Sequence, residues 1–349
     1  MRTSIVRLGF MLAFAILAVV TPVTVCEPAS QAGFALPPGY EAKATEYMNA
    51  RVDVTDFNGA ALVAYDGKPV FRAAYGLADR SFDVLNTPDT KYRLGSVTKS
   101  FTATAILLLE SRGALKLDDP VSRYIPDWPA NWGDATIHHL LTHTAGLPRL
   151  TTSLPLMDVS GLSRSVLPTI PASVISLATT AERLQPLDFA PGTSFDYSNI
   201  GFVVLGEVIE RISGQPYSRF MQENVFSPLG MTRTGIEDPT TVEKQMARGY
   251  ARVDERFADA GYVDLRLVGG AGALHSTVDD LLLLDRALHD GSLLPESLQQ
   301  RLFTPERMEY AKGWWVQTQF GRRVQWHRGN VQGFVATIVR YPDDGLFVA

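Results

Sequence analysis

RLGSVTKSFTATAILLLESRG, residues 93–113, passes from a polar turn into a helix that is apolar on nearly every side. The run from Ser100 to Ser111 leaves little wet face, which predicts burial against several neighbours at once. Gly113 supplies the stop. Such a helix belongs inside a fold rather than on its surface. Lys99 stands at its start, three residues after Ser96, in a chain with seven lysines against twenty-five arginines. Residues three apart share a helix face, so hydroxyl and amine point the same way.

On the N-terminal side, Tyr40 to Arg51 reads as a helix rich in Ala, Glu and Met. GAALVAYDGKPVFRAAYG at 59–76 then shows two β-rich runs around Asp66-Gly67, a strong hairpin signal. The far end repeats this character. GWWVQTQFGRRVQWHRG at 313–329 reads as a hairpin turning near Gly321, and GFVATIVRYPDDGLFVA at 333–349 as another turning at Asp344-Gly345. Between about 117 and 303 the chain is mostly helical segments (HHLLTH, NIGFVVLGEVIERISG, TVDDLLLLDRALHDG) parted by proline-rich loops. The fold class expected is α/β (α+β). An antiparallel sheet is built from both chain ends and flanked by helices, with an inserted all-helical lobe. One domain spans 38–349, its α/β lobe about 38–95 and 304–349 and its helical lobe about 96–303. LFVA begins a strand where the sequence stops, which reads as a fragment of a longer product.

Residues 1–32 read as a secretory signal: two arginines, an apolar run LGFMLAFAILAVV, and a small-x-small site at Ser30-Gln31-Ala32. A periplasmic or secreted location follows. A membrane anchor is the alternative, because apolar character continues to Val25 at the lower limit for a span. Cys26, the only cysteine, excludes an internal disulfide. It also occupies a lipoprotein acceptor position, although Val25 stands where a small residue is usual. A net charge of −5 and pI near 5.7 give no basic footprint, so nucleic acid is not expected as a partner.

A serine hydroxyl is a weak nucleophile until a base takes its proton. A lysine serves as that base only if burial or nearby cations lower its pKa. The bland alternative is that Ser96 caps the helix and Lys99 sits at its solvated edge. Two further motifs weigh against it: Tyr197-Ser198-Asn199 just before an apolar helix, and His327-Arg328-Gly329 on an expected strand. Both have decoys. Tyr47-Met48-Asn49 lies inside the first helix, and His289-Asp290-Gly291 ends another, where glycine is an ordinary stop.

In these three elements, in their order and approximate spacing, the sequence resembles the serine β-lactamase and penicillin-recognising D,D-peptidase family, in its class C and D,D-carboxypeptidase branch. THTAGLP at 142–148, SPLGMTRT at 227–234, GGAGALHSTVDDLL at 269–282 and KGWW at 312–315 are similar as well. The resemblance implies an acyl-enzyme on Ser96, with Lys99 and Tyr197 sharing the proton and Lys99 lowering the tyrosine's pKa. It implies that Asn199 holds Lys99 and the substrate's acyl-side amide, and that His327 hydrogen-bonds Tyr197. The backbone N–H groups of Ser96 and Asn330 would form the oxyanion hole, and Gly329 would keep the strand edge bare for an extended substrate. No cofactor and no metal are implied. The substrate would be a small molecule or short peptide: a D-amino-acid peptide, an ester or a β-lactam. Class C enzymes carry K-T-G at the third motif. Histidine at 327 is more typical of D,D-peptidase, D-aminopeptidase and esterase members.

His139 and His143, four apart, could bind zinc from one helix face, but Leu140 stands where a metalloprotease needs Glu. Structural hydrogen bonding is the expected role of both. An α/β-hydrolase is disfavoured, since no G-x-S-x-G occurs. A class C-like β-lactamase remains an alternative, as does a non-catalytic penicillin-binding-like scaffold or sensor, which would have lost turnover.

Overall fold

Two-residue turns set the register of the sheet. At Asp66-Gly67 both residues have positive φ (47° and 69°), and Phe320-Gly321 repeats the pattern at 54° and 73°. This is the turn geometry whose twist matches a tight hairpin. The first joins β1 (Gly59–Tyr65) to β2 (Lys68–Tyr75), and the second joins β3 (Trp315–Gln319) to β4 (Arg322–Val331). A third turn, at Gln332-Gly333, leads into β5 (Phe334–Tyr341), and β6 (Leu346–Val348) follows a short helical turn. The six form one antiparallel sheet in the order β3-β4-β5-β6-β1-β2. Val348 of β6 faces Val339 on one side and Val63 on the other, so strands from the two chain ends meet there. The expected sheet is the observed one.

This computed structural model describes residues 36–148, 186–238, 240–254, 256–261 and 264–349. The signal segment with Cys26, and residues 149–185, lie outside the described residues. Helix α1 (Tyr40–Thr55) runs four residues beyond its expected end and buries none of its side chains. Helix α2 (Thr98–Ser111) is the opposite, with every residue from Thr98 to Leu109 buried. It packs against α4 (Asn199–Ser213) and α6 (Glu296–Leu302), while α5 (Val278–Asp290) lies on β1. Thr277 caps α5 by accepting the Asp280 N–H, and α4 and α5 both end on left-handed glycines, Gly214 and Gly291. The short helix α3 (Ile137–Leu141) opens with a capping box in which Thr136 and His139 satisfy each other's backbone.

The middle of the chain holds strands that the sequence did not suggest. Tyr92–Arg93, Leu274–Ser276 and Gly235–Ile236 make a small antiparallel sheet, and Tyr250–Val253 pairs with Arg256–Asp259. Two to four residues carry too few alternating positions to register as a strand pattern. The hairpin is held by polar ties instead of a core. The Arg80 guanidinium sits 3.5 Å from the centre of the Phe257 ring, and Arg248 pairs with Asp259 at 2.5 Å.

Candidate active site

Ser96 lies on a 3-10 turn, Gly95–Val97, immediately before α2. It is half-buried in a run whose neighbours are buried on both sides. The first N–H groups of such a turn have no partner within the helix, so the Ser96 N–H points out of the helix start. Gly95 has φ 52°, a left-handed conformation that a side chain resists. A Cβ on Gly95 would come 2.9 Å from Asn330 N, and one on Gly329 would come 1.8 Å from Leu94 O and 2.8 Å from Ser96 N. The two glycines therefore let β4 press directly on the serine turn. Gly329 makes room for the protein's own backbone, a different reason for glycine than the bare substrate edge expected from sequence.

The β4–β5 register pairs Val331 with Phe334 across the two-residue turn and Asn330 with Val335 beyond it. Antiparallel hydrogen bonds alternate, so the main-chain N–H and C=O of residue 330 point away from β5, toward Ser96. Strand β3 ends its pairing at Trp315↔Trp326, leaving that edge of 328–330 open. The serine turn and residue 330 thus lie together beside that open edge.

Lys99 is completely buried. Its Nζ lies 3.0 Å from Ser96 Oγ and donates to Asn199 Oδ1 and to the Ala271 carbonyl, both at 2.8 Å. No carboxylate is among these partners, and burial holds its pKa well below the ordinary lysine range. In the amine form two N–H groups serve Asn199 and Ala271, and the remaining lone pair faces the serine hydroxyl. The Ala271 carbonyl comes from GGAGAL, a stretch whose role the sequence did not reveal.

Tyr197 stands above this pair, its ring centre 5.0 Å from Lys99 Nζ. Burial pushes its pKa up to about 12, and a hydrogen bond with Ser96 opposes the rise only in part. The lowering expected from Lys99 is outweighed by burial, and the tyrosine's pKa rises instead of falling. His327 also departs from expectation. Its Nε2 meets the Tyr310 hydroxyl at 3.2 Å and its Nδ1 meets the Arg328 carbonyl at 2.9 Å, so its hydrogen-bond partner is Tyr310 rather than Tyr197. Only an Nδ1–H tautomer satisfies both contacts, with Tyr310 donating. Burial drives the His327 pKa down to about 3, so position 327 carries no charge at neutral pH.

Tyr310 was not singled out by the sequence. It is fully buried and leads a row of rings, 4.9 Å from Trp315 and 5.9 Å from Phe195, with Trp326 stacked on Trp315. Lys312, the other buried lysine, turns away from the site to Glu306 at 3.6 Å. His139 accepts the Thr136 N–H and His143 the Ser198 N–H, each through Nδ1, so both rings serve the backbone. No cluster of three metal-ligating side chains occurs among the described residues.

A family model described as Beta-lactamase matches residues 45–349. Esterase EstB of Burkholderia gladioli is 41% identical over 269 residues, covering 68% of this chain and 67% of that protein. The putative penicillin-binding protein PbpX of Bacillus subtilis is 31% identical over 261 residues, covering 74% of this chain. The chain spans 62% of the length of PbpX. Among solved structures, the octameric penicillin-binding protein homologue from Pyrococcus abyssi superposes with a TM-score of 0.77 at 27% identity, over 88% of this chain and 72% of that one. The sheet drawn from both chain ends, the buried lysine beside a turn-borne serine and these matches agree: the chain belongs to the beta-lactamase family of serine hydrolases.

Proposed function

We propose that the protein is an exported hydrolase that forms an acyl-enzyme on Ser96 and acts on esters or D-amino-acid peptides, in the periplasm or outside the cell. The observation that carries this reading is a fully buried, charge-poor Lys99 whose Nζ is 3.0 Å from Ser96 Oγ. Ser96 Oγ attacks the carbonyl carbon while its proton passes to the Lys99 lone pair. The carbonyl oxygen becomes an oxyanion that accepts hydrogen bonds from the Ser96 and Asn330 N–H groups. The bond to the leaving group then breaks, and the proton held on Lys99 reaches the departing oxygen or nitrogen by way of the Tyr197 hydroxyl, which gives one proton and takes another. Water, deprotonated by the same lysine, then attacks the acyl carbon; the bond to Ser96 Oγ breaks and the lysine returns the proton to Oγ. Asn199, exposed and tied to Lys99, faces the substrate's acyl side.

The uncharged His327 favours an ester or amide leaving group over one anchored by a carboxylate, and this weighs against efficient β-lactam turnover. EstB, the esterase among the relatives, supports the same side. Intact-protein mass spectrometry with p-nitrophenyl butyrate, penicillin and a fluorophosphonate tests the reading. A fluorophosphonate adduct and ester turnover in the wild type, both missing in Ser96→Ala, are expected. An adduct that survives Ser96→Ala, or a folded wild type inert to all three, overturns it in favour of a scaffold. A penicilloyl adduct that hydrolyses quickly would overturn the substrate preference alone.

A further inference from the structure

His143 is held in a left-handed conformation at φ 57°, which a histidine adopts only when its surroundings require it. Its carbonyl accepts the Asp196 N–H at 3.0 Å, and its Nδ1 accepts the Ser198 N–H at 3.1 Å. Both peptide N–H groups flanking Tyr197 are therefore tied to one residue. The imidazole itself lies against the Tyr197 ring, centres 4.2 Å apart, and is wedged between it, Phe202 at 5.2 Å and Tyr310 at 4.7 Å. Because Nδ1 accepts, the proton sits on Nε2, which is buried with no protein partner. Burial holds its pKa well below the ordinary histidine range. A buried polar atom left unpaired costs about 1–3 kcal/mol. A leucine or phenylalanine would fill the space without that cost, but would leave the Ser198 N–H without its acceptor.

We infer that His143 is the positioning residue of the active site: through one carbonyl, one ring nitrogen and one ring face it sets the height and tilt of the Tyr197 hydroxyl over Ser96 and Lys99. The inference rests on the acyl-enzyme reading above. His143 does not touch the reacting atoms. It fixes a tyrosine that otherwise stands on a loop, one residue ahead of the Ser198 cap of α4. Preorganisation of this kind is what separates a present hydroxyl from a productive one.

His143→Asn keeps an acceptor near the Nδ1 position and tolerates positive φ, while removing the ring. For p-nitrophenyl butyrate, kcat is expected to fall tenfold or more with KM within twofold, in a variant that stays folded by circular dichroism. Tyr197→Phe and the double variant complete a cycle. If His143 acts through Tyr197, the double variant loses no more than Tyr197→Phe alone. Losses that multiply, or a kcat that falls only in step with the folded fraction, overturn the inference. Should His143→Asn fail to fold, His143→Gln carries the same cycle. Wild-type fluorophosphonate labelling of Ser96 is run beside it. No label there sinks the acyl-enzyme reading, whereas a label with additive losses sinks only the role of His143.

Discussion

Three oxygens surround the Lys99 nitrogen and none of them belongs to a carboxylate. The amine form accepts the serine proton, so activity is present above the lysine's pKa and is lost as pH falls through it. That pKa lies well below the ordinary lysine range, so the acid limb is expected at lower pH than a free lysine would give. His327, at about 3, contributes no limb between about pH 5 and 8. A kcat/KM profile should show one acid limb, and it should stay in place in His327→Ala even where the rate drops. Lys99→Ala is expected to slow acylation by roughly 10²–10⁴-fold, read by fluorophosphonate labelling rate. Gly329→Ala drives a methyl into Leu94 O and Ser96 N. It should cost about 1–3 kcal/mol in urea titration and lower kcat more than KM, because the oxyanion donors part. Ser96, Lys99, Tyr197 and Asn199 were legible in the sequence because their chemistry travels with short motifs. The partner of His327 was not. Tyr310 reaches it across 17 residues of sequence, through packing that no local pattern encodes.

At the scale of elements, α2 and α4 were readable from their apolar runs and glycine stops, while what lets them close on the site was not. Gly206 in α4 would place a Cβ 3.1 Å from Gly270 N, and a Cβ on Gly270 would come 2.7 Å from Phe202 O. The turn carrying Gly270 also offers the Ala271 carbonyl to Lys99 and the Gly270 carbonyl to Thr102, at 2.8 Å and 2.6 Å. Close packing and catalytic geometry are thus one contact. Gly270→Val should lower the melting temperature and cut acylation together, whereas Gly214→Ala, at the open far end of α4, should lower stability slightly and leave acylation untouched. Differential scanning calorimetry beside labelling kinetics separates them. The Tyr250–Asp259 hairpin went unread for the converse reason. Its strands are almost wholly exposed and held by arginines, and alternation is informative only where one face is buried.

Across the whole molecule, the antiparallel sheet followed from β character at both ends of the sequence, but strand order did not. The hairpin signals show which neighbours pair, and they are silent on how the β1–β2 hairpin meets the β3–β5 meander. The joint is β6, three residues long, with Phe347 only 2% exposed at its centre. Phe347→Ala should cost about 3–5 kcal/mol by equilibrium denaturation, near the limit of what a domain can lose. The joint also has a bearing on time. Among the described elements β6 leaves the ribosome last, yet it stands between the first hairpin and everything paired with β5. Until it arrives, β1 exposes an unpaired edge to the solvent, and some 280 residues must be threaded before that edge finds its neighbour (Val63 to Val348). Closure over such a span is slow, since the loop entropy is lost before any contact repays it. Before that moment the first hairpin is held only by local contacts, and the sheet as a whole stays open to unfolding.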